Sequence, residues 1–407
     1  MEKVDIENLI EQNNDARRFR KYDHKEIYEK AMLILSLKNY KFKTVRTDKT
    51  QKEMFIYDKN VGYYLPNGSS YIHEWCSQDF MTSYKSFIDS LILIINDNTY
   101  INREEFIHPR HLINMKNGIF NLETDELINH TPDYYFQGML NIPYDKEAKC
   151  PIWEKAIKGM LPNDEDRIRM QKWFGYQFIR ENKEQIAHGI FGISGSGKSK
   201  IFMILRDLLG EKNVTNFELQ DFNIPNSYAI GRLYGKYANI NYDMSTTPIK
   251  DISVFKRLTS GDPIVGRNIF ESPFEFVNYA KLSWACNKLP TVTDEILRTT
   301  EFKRRVMLTE IVRGHDEVDI DIYSKFRKEL TGIFNWALEG HKLYIKEKGF
   351  NFKRESVPSL WKDNMEGALP TIENDKDLPV EMQLFSLEAQ KTEIEEKLKK
   401  LELKLKS

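Results

Sequence analysis

The sequence predicts an α/β protein: a mainly parallel β-sheet covered on both faces by helices, preceded by an α+β/helical N-terminal region and followed by a helical C-terminal tail. Three observations carry this reading. Four short apolar runs, QIAHGIF (185–191), YANINYD (237–243), AKLSWACN (280–287) and RRVMLTEI (304–311), recur at intervals that leave room for helices between them. The first run leads into the glycine-rich stretch GISGSGKS (192–199). After it, KSKIFMILRDLLG carries apolar residues at Ile201, Ile204, Leu205 and Leu208, a helical spacing, with Gly210 placed to end the helix. Strands alternating with helices imply a parallel sheet buried on both sides.

The glycine-rich stretch fits a phosphate loop, with Gly192, Gly197, Lys198 and Ser199 in the required positions. Glycines let consecutive backbone N–H groups turn toward phosphate oxygens, the lysine reaches the outer phosphates, and the serine hydroxyl suits a Mg²⁺ shell. The helix that follows adds the positive end of its dipole. The candidate nucleotide-binding residues are therefore Gly192, Ile193, Ser194, Gly195, Ser196, Gly197, Lys198, Ser199 and Lys200. A chance glycine-rich turn is the plain alternative, and the strand before and helix after argue against it.

Composition narrows the class. Hydrophobic residues at 41% and aromatics at 12% argue for a folded chain. The net charge of −1 identifies no polyanionic partner, so a nucleic-acid site has to come from local features. Cys76, Cys150 and Cys286 are isolated thiols, which argues against a disulfide framework or a zinc site and fits a reducing cytosol. FIDSLILII (87–95) is too short to cross a bilayer and carries Asp89, so it reads as a core helix or strand. With no signal peptide visible, the expectation is a soluble cytoplasmic protein, in the host cytoplasm if viral, with no membrane partner.

Taken in order, residues 1–105 form an accessory region of unknown role. HKEIYEKAMLILSL has a helical pattern, and EMFIYDK and VGYYL are strand-like. The basic ARRFRKY fits a nucleic-acid contact or a solvated helix face. Residues 106–182 read as a helical, collar-like region: INMKNGIFNLETDEL gives two short strands around turns, and CPIWEKAIKGM and IRMQKWFGYQFI give amphipathic helices. Trp153, Trp173, Phe174 and Tyr176 have the spacing of core residues. Residues 183–345 form the nucleotide-binding domain, with PIVGRNIFESPFEFVNYA as a projecting β-hairpin. Residues 346–407 end in Leu387, Ile394 and Leu401 with Leu398 and Leu405, a short coiled-coil pattern or a docked helix. DIDI (319–322) reads as a chance acidic pair.

Each later strand ends in a chemically useful residue. Asp243 can hold a Mg²⁺ shell or position water, Asn287 can orient water or sense an outer phosphate, and Arg304 or Arg305 can neutralise transition-state charge. Singly, a strand-end Asp or Asn is commonly a turn former, and paired arginines are commonly surface residues.

Together GISGSGKS, ANINYDMS, FKRLTSGDPI, AKLSWACNKLP and FKRR resemble the ordered motifs of superfamily 3 helicases, in the phage and plasmid primase-helicase branch with its poxvirus-type ATPase. NMKNGIFNLETDEL, CPIWEKAI, QKWFGYQFI and GIFNWALEG resemble the segments flanking that ATPase, so the likeness spans about residues 110–345. The resemblance implies an AAA+-like P-loop core and an ATP-dependent DNA helicase of a phage, plasmid or other mobile element. It implies a homo-oligomeric ring, usually a hexamer, that moves 3′ to 5′ on single-stranded DNA and opens forked duplex DNA, with a primase or polymerase as a further partner.

Under that resemblance Lys198 and Ser199 bind ATP and Mg²⁺, Asp243 completes the metal site, Asn287 is the sensor, and an arginine reaches in from the adjacent subunit. Lys256 and Arg267 would contact DNA phosphates, or else serve the subunit interface or the surface. Two departures stand out. Tyr242 precedes Asp243 where many relatives carry a second carboxylate, and a long spacer leaves Arg298, Arg304 and Arg305 all open as the arginine finger, Arg305 first. No primase domain is evident, so the chain reads as a stand-alone helicase or as part of a longer primase-helicase. An origin-binding initiator that uses ATP to remodel DNA is the alternative, and a small-molecule kinase leaves the sensor, hairpin and arginines without a purpose.

Overall fold

The computed structural model describes residues 41–365 except 47–51, 80–84, 104, 225–226, 269–271, 313–318, 320 and 353, together with 25, 27–29 and 31–32. Period-two alternation builds the first unit. Strands β1 (Phe42–Arg46), β2 (Lys52–Asp58) and β3 (Tyr63–Leu65) pair antiparallel. Helices α1 (Gly68–Asp79) and α2 (Lys85–Asn98) follow, and β4 (Tyr100–Ile101) returns parallel to β1. Phe42, Met54 and Ile56 face the helices and pack on Phe87, Ile88, Leu91 and Ile95. Val45, Phe55, Tyr57 and Tyr64 face the other way, onto Phe106. The apolar run 87–95 is thus helical, its buried residues falling at helical spacing in α2.

Next comes a meander of β5 (Leu112–Met115), β6 (Gly118–Asn121) and β7 (Glu126–Ile128), three strands where the sequence suggests two. Two helices lead into the central sheet: α3 (Pro151–Met160) and α4 (Asp164–Tyr176). The start of α4 is set by Asn163, whose side chain accepts from the Glu165 N–H, and by Asp164, Glu165 and Asp166 in its first turn.

The central sheet takes β8 (Ala187–Phe191), helix α5 (Lys198–Leu209), β9 (Val214–Thr215), the short α6 (Ala229–Arg232) and β10 (Ala238–Asn241). After α7 (Ser253–Ser260) the predicted hairpin appears as β11 (Pro263–Gly266) and β12 (Phe274–Val277), followed by β13 (Lys281–Cys286). Helices α8 (Asp294–Arg298) and α9 (Thr300–Lys303) precede β14 (Val306–Glu310). The strand order is β14-β8-β13-β10-β9, all parallel. Ile190, Ile240, Ala285 and Met307 face one side, and Phe191, Trp284, Cys286 and Leu308 face the other. Both faces are covered, as the apolar runs require.

The last described helices are α10 (Ile322–Lys328), α11 (Leu330–Glu347) and α12 (Val357–Asp363). Glycines seat α11: a Cβ at Gly340 would lie 2.0 Å from the Gln171 carbonyl oxygen, and one at Gly175 would lie 2.3 Å from the His341 nitrogen. Only hydrogen side chains permit so close a helix crossing. One apolar cluster therefore contains Phe120, Trp153, Trp173, Phe174, Tyr176, Phe334 and the strand residues Ile190 and Ile240, running across residues 182 and 183 without a break. Trp361 of α12 closes the opposite face, its indole N–H donating to the Pro290 carbonyl at 3.0 Å. The ARRFRKY cluster and the heptad positions Leu387, Ile394, Leu398, Leu401 and Leu405 lie outside the described residues. Among the described residues no helix is long and apolar enough to cross a membrane.

Candidate nucleotide and DNA site

Topology decides where a ligand can sit. β8 sends the chain through α5 toward β9 at the far edge, whereas its neighbour β13 sends it back past β8 to β14. Adjacent strands whose connections leave in opposite directions open a crevice at their carboxyl ends. The glycine-rich loop, Asp243 and Asn287 follow the ends of β8, β10 and β13 respectively.

The loop has the backbone that its glycines allow, with φ of +148° at Gly192, +79° at Gly195 and +91° at Gly197. A Cβ at Gly192 would lie 2.3 Å from the Ile311 carbonyl oxygen, and one at Gly197 would lie 2.8 Å from Met160 Sδ, while Gly195 faces open space. Ile193, Ser194 and Gly195 are exposed at the mouth, whereas Ser196 and Lys198 are buried. Lys198 Nζ donates to the carbonyls of Gly192 at 2.8 Å and Ile193 at 2.6 Å and to Ser196 Oγ at 3.3 Å. Burial holds its ammonium below the usual lysine range, with Cys286 and Asp243 near enough to oppose that shift. A buried cation satisfied only by neutral oxygens is a ready place for an anion. Lys200 is half-buried one residue past Ser199.

Ser199 Oγ donates to the Tyr242 carbonyl at 3.0 Å, and Asp243 is exposed at the next position. Asn241 Oδ1 accepts the Asp243 backbone N–H at 3.0 Å, fixing the turn. A hydroxyl and one carboxylate are the hard oxygen donors that Mg²⁺ takes beside phosphates and water, without a cage of protein ligands. The residues present therefore fit the ion. Tyr242 turns elsewhere: its ring lies 5.9 Å from the Arg206 guanidinium, and burial raises its hydroxyl above the usual phenol range. It does not stand in for a second carboxylate.

Asn287 is exposed after Cys286, which pairs with Phe191 just before the loop; its side chain has no hydrogen-bond partner among the described residues. The Cys286 thiol is buried and pushed up to about 12 by burial, which makes it unreactive. The DIDI stretch supplies no metal pair: Asp319 accepts from Lys325 Nζ at 2.6 Å and Asp321 begins α10. Among the described residues no group of three or more His, Cys, Asp or Glu could hold a metal.

The arginines lie elsewhere. β14 pairs Glu310 with Phe191 and Val306 with Ala187, so Arg304 and Arg305 stand at the far end of the sheet from the loop of their own chain, roughly 16 Å away at the rise of a strand. Arg305 is 5% exposed, and its Nη1 donates to the Glu301 carbonyl at 3.2 Å. Arg304 is half-buried, and Arg298 is exposed, 3.7 Å from Asp294. Lys256 is half-buried on α7, and Arg267 is exposed at the end of β11 with its guanidinium 5.9 Å from the Tyr228 ring. Sequence reasoning missed the Tyr242 carbonyl and Arg206; a backbone acceptor leaves no mark in residue types, and Arg206 reads as an ordinary helix surface residue.

Two family models match the chain: a D5 N terminal like family over residues 16–162 and a family of unknown function, DUF5906, over residues 190–305. No curated protein matches in sequence. Among solved structures, an apo structure of the NrS-1 C terminal region (305–718) is similar at 12% identity, covering 86% of this chain and 76% of that one with a TM-score of 0.54. The A form apo structure of the same region is similar at 12% identity, covering 83% and 72% with a TM-score of 0.50. At that identity the likeness is one of fold. The chain is thus similar to a D5 N terminal like family ahead of the central sheet and to DUF5906 across that sheet, and it shares its fold with the NrS-1 C terminal region.

Proposed function

We propose that this chain is an ATP-driven DNA helicase subunit. One observation carries the reading: the phosphate loop, Asp243 and Asn287 come from three neighbouring strands and converge at the crevice where the sheet changes direction. Lys198 would exchange its loop carbonyls for outer phosphate oxygens, and the loop N–H groups would take the others. Ser199 would turn from the Tyr242 carbonyl toward Mg²⁺, which with Asp243 neutralises charge on the phosphates. Asp243 follows Tyr242 rather than a second carboxylate, so it would also position the attacking water, with Asn287 holding that water from the β13 side.

The positive group needed at the transition state would come from another subunit, because Arg304 and Arg305 of the same chain lie at the opposite end of the sheet. A head-to-tail interface of that kind closes into a ring when its rotation permits, and a hexamer moving 3′ to 5′ on single-stranded DNA is what the family resemblance implies. Arg267 and Lys256 would hold backbone phosphates at the hairpin. The test is ATP hydrolysis with and without single-stranded DNA, alongside strand separation of a forked duplex. Hydrolysis should rise with DNA, and Lys198→Ala should abolish both hydrolysis and unwinding. Unwinding that survives in Lys198→Ala, or specific duplex binding without strand separation, would replace the motor with another activity.

A further inference from the structure

Around the base of the β11/β12 hairpin lie arginines and tyrosines that neither the nucleotide site nor the core uses. Tyr234 is 37% exposed, with the rings of Phe274 and Phe276 edge-on at 5.4 and 5.5 Å. Arg103, two residues past β4, places its guanidinium 5.5 Å from the Tyr234 ring and 5.1 Å from the Phe274 ring, so the N-terminal unit meets the hairpin here. On that unit Arg46 lies 5.3 Å from the ring of Tyr100, which is 42% exposed. On the hairpin side Arg267 covers Tyr228, which is 39% exposed.

The charge along this strip is mainly positive among the described residues. Among the described residues Arg46, Arg103 and Arg267 form no ion pair, whereas Arg110, Arg167 and Arg169 each do. Of the carboxylates close to this strip in the chain, Asp97 pairs with Lys52 at 3.1 Å, and Glu105 accepts from the Asn102 amide at 2.9 Å and forms no ion pair with these arginines among the described residues. Glu275 alternates to the other face of the hairpin from Phe274 and Phe276. Unneutralised guanidinium groups interleaved with exposed phenol rings match a polynucleotide whose bases are free, the cations taking phosphates and the rings taking base faces. An acidic protein would use the cations and leave the rings without a role.

We propose that Arg46, Tyr100, Arg103, Tyr234, Arg267 and Tyr228 form a single-stranded-DNA path that carries the strand from the hairpin onto the N-terminal unit. This rests on the motor reading and extends it from Arg267 to Arg46, Tyr100, Arg103, Tyr228 and Tyr234, which no motif marks. Stacking on rings without hydrogen bonds to base edges makes the path tolerant of sequence.

The test uses the full chain and fluorescein-labelled oligo-dT, with binding followed by anisotropy across a KCl series. Tyr100→Leu and Tyr228→Leu should each weaken binding by roughly ten-fold. Arg46→Gln and Arg103→Gln should also weaken it and reduce the log–log salt slope by about 0.7 each. Arg103→Lys should keep that slope. Hydrolysis without DNA should stay at the wild-type rate in all of them, which also shows that they fold. Wild-type binding with an unchanged slope across these variants would overturn the path, as would an equal loss for duplex of the same length. Wild-type hydrolysis that ignores oligo-dT would overturn the motor reading itself.

Discussion

His188 shows how much of the sheet's stability rests on a single uncharged ring. It is fully buried in β8 between Trp173 and Phe202, and its Nε2 lies 2.9 Å from Thr309 Oγ1. Burial, with the Arg169 charge nearby, lowers its pKa to about 3. In the unfolded chain an imidazole titrates near about 6.5. Between those values the unfolded state takes up a proton that the native state refuses, so this group's stability is complete above that range and is lost as pH falls through it, by at most about 1.4 kcal/mol per pH unit. Urea midpoints measured at pH 7 and pH 5 should therefore drop further for the wild type than for His188→Gln. At this scale the placement of Lys198, Ser199 and Asp243 beyond strand ends was legible, because each follows an apolar run that marks its strand. It was not legible for Arg305, because the enclosure that buries its guanidinium against the Glu301 carbonyl is assembled from α9, β14 and their neighbours.

At the scale of elements, the helix crossing of α4 and α11 is the tightest joint in the structure. The methyl of Gly340→Ala would meet the Gln171 carbonyl oxygen at 2.0 Å, a backbone atom that cannot swing aside. The cost should reach about 3 kcal/mol, read as a lower denaturant midpoint with unchanged slope. Gly235→Ala is the matched control: its φ is +75° with nothing within 4 Å, so it should lose only the backbone penalty, about 1 kcal/mol. Strands flanked by strong turn signals and long apolar runs were readable, as for β8, β10, β13 and β14. β9 is two residues long and half-buried, and β7 is three residues long with exposed ends, too short for alternation to register.

Across the whole molecule, the separation of Arg304 and Arg305 from the glycine-rich loop becomes a prediction about assembly under the proposed function. Subunits carrying Lys198→Ala mixed with subunits carrying Arg304→Ala should regain part of the hydrolysis that each lacks alone, since some interfaces then hold an intact loop and an intact arginine. Arg298→Ala takes the place of Arg304→Ala if the exposed helix α8 supplies the group. No recovery with either would mean that neither Arg304 nor Arg298 acts across the interface. The sheet and hairpin were foreseen from sequence; the crevice, which depends on strand order, and the packing of the N-terminal unit against the hairpin were not, because Arg103 and Tyr234 lie far apart in the chain and carry no shared pattern.

The apolar cluster that runs through residues 182 and 183 bears on how work could leave the nucleotide pocket. Trp173 donates its indole N–H to Ser283 Oγ at 3.0 Å, tying α4 to β13, and the glycine-seated crossing ties α4 to α11. Clamped at both points, α4 leaves little slack within the chain, so in the ring that we propose any give during a working cycle would fall at the seams between protomers.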